Sequence, residues 1–241
     1  MKKKIVIIGH RGANNLAPEN TLKSFTKAIE LKADYIEFDI HLSKDKEIVI
    51  MHDADTLKTT GHKGLIKNMT LNELKKLDCG EGEKIPTLGE LIEVAKGKIG
   101  LQIEVKANNM AELLIKILRE EDLVETSIVS SFLHSELLKI QKMESHVKLA
   151  TLEPTITNFS QDWNYLSGII NKVIENKYYA IHPRYQLVNQ LFIEFAHQHN
   201  IKVHIWTVNS KPVMKKFIEM GVDGIITDDI SKAKDVINPN D

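Results

Sequence analysis

Cysteine is almost missing from this chain. Cys79 is the only one in 241 residues, so no internal disulfide can form and a reducing, cytoplasmic setting is expected. Long apolar runs are missing as well. None approaches the ~18 residues a membrane helix needs, which speaks against stable membrane insertion. The opening Met-Lys-Lys-Lys-Ile-Val-Ile-Ile-Gly-His offers only four apolar residues before Gly9. That is too short for a signal-peptide core, and a buried first strand is expected instead. Net charge is nearly absent: 32 basic residues stand against 33 acidic ones, so no strong field marks nucleic acid or an anionic membrane as the main partner. Arginine is scarce too. Only Arg11, Arg119 and Arg184 occur among those 32 basic residues, so a chain that otherwise uses lysine has kept arginine where a planar, two-pronged donor can matter.

What the chain has in quantity is alternation. Short apolar runs at residues 4–8, 34–40, 99–105, 127–130, 147–151, 178–181, 202–207 and 224–226 read as strands. Segments with apolar residues three and four apart separate most of them, as in Leu22, Phe25, Ala28, Ile29 or Leu88, Leu91, Ile92, Ala95. Thr70 with Glu73 and Thr87 with Glu90 fit the capping box, and Pro86 blocks backward extension of the second helix. Successive β–α units predict an α/β fold, a single (β/α)8 barrel occupying residues 1–241 as one domain. An open doubly wound sheet would share the alternation. Residues 53–84, polar and lysine-rich with a short helix around 71–77, read as an elaborated loop after strand 2. The triplets Asn68-Met69-Thr70 and Asn158-Phe159-Ser160 match the glycosylation pattern, which is empty in a cytosolic chain.

In such a barrel the chemistry gathers where the strands end. The first strand ends in Gly9-His10-Arg11-Gly12, the second carries Glu37 and Asp39, and the third carries Glu104 and Lys106. Residues two apart on a strand point the same way, so Glu37 and Asp39 share a face while Ile36, Phe38 and Ile40 take the other. If that face is inward, three carboxylates converge at the mouth of an apolar barrel and repel one another unless a cation sits among them. Oxygen donors without cysteine favour one hard divalent ion, Mg²⁺ or Ca²⁺, over zinc.

Only seven residues separate Ile40 from Ile48, too few for a helical crossover, so residues 47–51 should return antiparallel. A two-residue turn at Asp45-Lys46 would pair Lys44 with Glu47 and set His52 directly opposite Asp39. These parts fit cleavage of a phosphodiester. Arg11 and the ion would bind non-bridging oxygens, with Lys106 adding positive charge near Glu104. His10 and His52 would act as base and acid, with water or a neighbouring hydroxyl as nucleophile. Trp206, in Trp206-Thr207-Val208-Asn209, is either a core aromatic or a platform for substrate carbons. His182-Pro183-Arg184 is a lesser candidate for substrate contact. The other histidines read as surface or satisfied core residues.

The run His10-Arg11-Gly12, Pro18-Glu19-Asn20-Thr21, Glu37-Phe38-Asp39 and His52-Asp53 resembles the signature of the glycerophosphodiester phosphodiesterase family. Ile85-Pro86-Thr87-Leu88, Glu104-Val105-Lys106, Ser130-Ser131-Phe132, Trp206-Thr207-Val208-Asn209, Gly221-Val222-Asp223-Gly224 and Thr227-Asp228 extend it over nearly the whole chain. The resemblance implies a TIM barrel, a histidine pair at His10 and His52, and a Ca²⁺ or Mg²⁺ site at Glu37, Asp39 and Glu104. The implied activity is metal-dependent hydrolysis of a small-molecule glycerophosphodiester to glycerol 3-phosphate and an alcohol. Lys32, Ser43, Lys46 and Lys58 stand where the family usually has Gly, Thr, Gly and Arg. A lysophospholipase D-type phosphodiesterase is the near alternative, and a non-catalytic phosphate-ligand-binding barrel the distant one.

Overall fold

The computed structural model describes residues 4–154 and 162–238; the Asn158 triplet lies outside them. Among the described residues nine strands are present: β1 (Val6–His10), β2 (Tyr35–Leu42), β3 (Ile48–Ile50), β4 (Gly100–Val105), β5 (Ile128–Ser131), β6 (Lys148–Glu153), β7 (Ala180–Pro183), β8 (Lys202–Ile205) and β9 (Gly224–Thr227). β1 pairs in parallel with both β2 and β9, so the order β1-β2-β4-β5-β6-β7-β8-β9 closes on itself as an eight-stranded parallel barrel. The open-sheet alternative is thereby removed. β3 is extra and pairs antiparallel with β2.

The helices are α1 (Leu22–Glu30), α2 (Leu57–Thr60), α3 (Leu71–Leu74), α4 (Leu88–Ala95), α5 (Ala111–Glu120), α6 (His134–Met143), α7 (Trp163–Glu175), α8 (Gln190–Gln198), α9 (Lys211–Met220) and α10 (Ile230–Ile237). Both capping boxes form: Thr70 and Thr87 accept from the backbone N–H of Glu73 and Glu90, whose carboxylates reach back to the cap N–H groups. Each satisfies two of the donors that a helix start leaves without partners.

Alternation along the strands sorts the core from the site. Ile36, Phe38 and Ile40 of β2 are fully buried between barrel and helices, where Phe38 meets Phe25 of α1 edge-on at 5.9 Å. Truncating either ring to alanine costs about 3–5 kcal/mol in a core of this kind. Inside the barrel, Ile128, Ala150 and Ala180 pack with Tyr35 in a small apolar cluster. Glu37 and Asp39 follow Tyr35 on the same face of β2 and rise above that floor toward the C-terminal mouth.

One expected register is corrected. Ile40 pairs with Ile50 and His41 with Val49, so the turn holds three residues, 44–46, not two. Lys46 adopts the left-handed conformation at φ 68°, the Ser43 N–H donates to the Glu47 carbonyl, and the Glu47 N–H donates to Ser43 Oγ. This is the three-residue hairpin with its last residue left-handed. Asp39 consequently faces Met51, whose N–H donates to the Asp39 carbonyl at 3.0 Å. His52 is the first residue beyond the ladder.

Candidate active site

The first strand delivers its residues through a strained turn. Arg11 has φ 54° and Gly12 φ 87°, and a Cβ on Gly12 would overlap Ser24 of α1. Ser24 Oγ donates to the Arg11 carbonyl at 2.8 Å and the Arg11 N–H donates to Glu37 Oε2 at 2.9 Å. A non-glycine residue at positive φ is held there by its surroundings, and here those surroundings include a site carboxylate.

Glu37, Asp39 and Glu104 come together as the shared face requires. Asp39 and Glu104 are direct partners across β2 and β4, and ligand oxygens from all three lie within 4.8 Å of one another. All three are buried. Burial, with the neighbouring charges of Asp39 and Glu104, holds the Glu37 carboxyl well above the ordinary range. Burial and the Asp39 charge likewise push Glu104 up to about 7. Asp39 goes the other way: burial would raise it, but Lys106, Arg11, His52 and the Asn20 amide together outweigh that and lower it. Lys106 Nζ lies 2.8 Å from Glu104 Oε1 and 3.3 Å from Asp39 Oδ1, and Arg11 Nε is 3.5 Å from Asp39 Oδ2. Two cations thus face three buried carboxylates, and the shortfall in positive charge shows at Glu37 and Glu104, whose ionised forms are disfavoured. An all-oxygen donor set in that condition fits a hard divalent cation.

His10 and His52 both reach the cavity that Arg11, Glu37, Glu104, Lys106 and Trp206 also line. Each is anchored through Nδ1: His10 to Asp228 Oδ1 at 2.6 Å, and His52 to Asp53 Oδ1 at 2.6 Å. An ionised carboxylate only accepts, so Nδ1 carries the proton in both rings and Nε2 is left for chemistry. Burial would raise Asp228, but its bond to His10, the His10 charge and the Asn14 and Asn209 amides lower it to about 2. Asp53 is lowered as well, burial being outweighed by its bond to His52. Burial lowers the His52 pKa; the Asp39 charge resists, and Lys106 and Arg11 push it down further. The His52 carbonyl accepts from His41 Nε2 at 3.1 Å, which fixes the backbone beyond the ladder.

The cavity is divided. Strands β1, β2 and β4, with His52 beyond β3, supply its charged side, whereas Phe132, Leu152, Trp206 and Ile226 bring apolar surface from the rest of the barrel. Trp206 Nε1 donates to the His182 carbonyl at 2.7 Å, and its ring meets Phe132 edge-on at 5.7 Å. His182 itself is fully buried, stacked on His204 at 4.9 Å, and does not line the cavity.

Asp39 is the one expected metal ligand that does not line the cavity; it is 1% exposed and covered by Lys106, Arg11 and Asn20. Sequence reasoning placed the partners of these residues inside motifs but gave them no role. Asp228 and Asp53 anchor the histidines, Glu19 accepts from Arg11 Nη1 at 2.8 Å, and Asn20 Nδ2 donates to Asp39 at 2.9 Å. The available signal was position, since Asp228 directly follows β9 at the same barrel face.

A parallel barrel with buried carboxylates and two anchored histidines at its C-terminal mouth has the equipment of a phosphoric diester hydrolase. The chain belongs to the glycerophosphoryl diester phosphodiesterase family, whose family model matches residues 10–232. A glycerophosphodiester phosphodiesterase of Caldanaerobacter subterraneus subsp. tengcongensis is 37% identical, over 94% of this chain and 95% of that one. Among solved structures, a glycerophosphodiester phosphodiesterase of Thermotoga maritima is 29% identical with a TM-score of 0.79, covering 95% of this chain and 97% of that one. An Oleispira antarctica phosphodiesterase in complex with the product sn-glycerol-3-phosphate is 26% identical with a TM-score of 0.85, covering 97% of this chain and 96% of that one.

Proposed function

We propose that residues 1–241 form one catalytic barrel that hydrolyses glycerophosphodiesters to glycerol 3-phosphate and an alcohol by histidine acid–base catalysis with a divalent cation. The observation that carries this reading is the pair of aspartate-anchored histidines at one cavity with Arg11 and the carboxylate cluster. Glu37, Asp39 and Glu104 would hold the ion, Mg²⁺ or Ca²⁺, and when bound it supplies positive charge to the non-bridging phosphate oxygens. Arg11 offers its guanidinium to the same oxygens while Glu19 steadies Nη1. Lys106 adds a second positive charge. One histidine takes at its Nε2 the proton of the attacking water, or of a neighbouring hydroxyl whose cyclic diester water then opens, and the other gives a proton to the departing alkoxide, which leaves poorly without it. Trp206, braced by Phe132, forms an apolar wall for substrate carbons. The single thiol, Cys79, fits a cytoplasmic setting.

Incubation with glycerophosphocholine and Mg²⁺ or Ca²⁺, followed by phosphorus NMR, tests the reading. Conversion of the diester resonance to that of glycerol 3-phosphate, with release of choline, is expected. Binding of the diester without conversion under either ion would leave a non-catalytic phosphate-binding barrel.

A further inference from the structure

At the rim of the site, residues 53–85 hold a closed excursion of the chain. Asp55 bridges Leu65, the Thr56 N–H donates to the Gly64 carbonyl at 2.9 Å, and the Ile66 N–H donates to the Ala54 carbonyl at 3.0 Å. Its base is anchored: Ile66 is buried in a small core with Val49, Met51, Leu74, Cys79 and Ile85. Its tip is not. A Cβ on Gly61, which caps α2, would meet nothing within 4 Å. Leu57 is 49% exposed and Leu65 44%, although a core that already holds Ile66 lies directly below. Leu16 of the neighbouring β1–α1 loop, on the same barrel face, is 51% exposed.

Charge accompanies the apolar surface. Lys58, Lys63 and Lys67 are exposed, and no carboxylate occurs between residues 56 and 72. The chain is near neutral overall, so this is a local concentration of one sign. Thr59 of α2 shares a cleft with His52 and Glu19, which puts the tip beside the mouth of the site. Among the described residues no helix is long and apolar enough to cross a membrane, so any lipid contact there is peripheral.

We propose that the segment 56–68 docks the active-site face on an anionic lipid surface. Leu57 and Leu65 enter the boundary between headgroups and acyl chains, and the lysines reach the lipid phosphates along their stems. The charge pattern selects this occupant: leucines set among lysines match an interface that is apolar below and anionic above. The inference goes beyond the hydrolytic reading and does not require it.

Co-sedimentation with vesicles tests it, using phosphatidylcholine alone and a two-to-one mixture with phosphatidylglycerol. The native protein is expected to pellet with the mixed vesicles, to bind neutral ones about tenfold less or weaker still, and to be released by added salt. Lys63→Gln/Lys67→Gln and Leu57→Ser/Leu65→Ser are each expected to lower binding about tenfold or more. Turnover of soluble glycerophosphocholine should match the parent in both, which separates this proposal from the function above. If the leucine variant fails to fold, the exposed lysine pair decides alone. Native protein left in the supernatant, or lysine variants that pellet like the parent, would overturn the proposal. So would a dimer that Leu65→Ser dissolves in the absence of lipid binding, since the face would then belong to a second copy.

Discussion

Asp228 stands 218 residues after His10 in the chain, yet its Oδ1 lies 2.6 Å from His10 Nδ1. The barrel makes the contact by closing β9 against β1. Asp228→Asn keeps the shape and removes the charge that fixes the ring, so kcat is expected to fall about tenfold to a hundredfold, with a smaller change in KM. Asp228→Glu should recover part of it. The pair also links stability to pH. The folded carboxyl lies near 2, below the ~3.9 of an ordinary Asp. Its stabilisation is therefore complete above that ordinary value and disappears as pH falls through about 2. The gap in Tm between parent and Asp228→Asn should accordingly close between about pH 5 and pH 2. A gap independent of pH would show that ionised Asp228 does not stabilise the fold.

His10→Ala and His52→Ala are each expected to lower kcat on the order of 10²-fold or more, the usual scale for a positioned acid or base. Both residues stand at the mouth, outside the packed layers, so both variants should remain folded, with His10→Ala losing the share of stabilisation that Asp228 draws from the ring. Steady-state kinetics on the folded variants decides. Near-normal kcat in either would remove that histidine from the mechanism.

Arg11→Lys keeps a charge and loses the planar fork. The backbone bond from residue 11 to Glu37 remains available, whereas the side-chain grip on Glu19 at 2.8 Å and the approach to Asp39 at 3.5 Å depend on guanidinium geometry. A displacement of about 1 Å at a reacting centre can cost roughly 10²-fold. A loss of at least about tenfold in kcat/KM is expected, part of it in kcat. Kinetics matching the parent would reduce Arg11 to a source of positive potential.

Much of this site was legible in sequence because strand alternation is a strict period. Ile36, Phe38 and Ile40 facing the helices oblige Glu37 and Asp39 to face the barrel axis. The hairpin was less legible. Lys46 takes a left-handed position at which glycine would have announced a three-residue turn, so a two-residue turn put His52 one place out of register. The anchors were least legible. Asp228 and Asp53 stand in motifs that do not say what they do, and their role depends on side-chain approaches that only the closed barrel sets. Asn20, likewise, meets Asp39 because the turn around Arg11 and Gly12 folds the β1–α1 loop back over β2.

Cys79 offers a check on the small core beneath the rim. Burial, with the nearby Asp78 charge, pushes its thiol up to about 11. A raised value leaves the thiol protonated at pH 8, and the protonated form is a poor nucleophile. Alkylation of the native protein at pH 8 should thus be slow, and denaturant should speed it. Rapid modification of the folded protein would mean that the segment opens readily.

The most direct test of the account is metal removal. Purified protein is exhaustively treated with a chelator, assayed on glycerophosphocholine, and assayed again after Mg²⁺ or Ca²⁺ is added back. Glu37→Gln and Glu104→Gln serve as variants with a depleted ligand set. The expected result is loss of turnover on chelation and its return with one of the ions, with weaker or absent return in the variants. Full turnover after exhaustive chelation would contradict the central claim that Glu37, Asp39 and Glu104 hold a divalent ion required for the reaction.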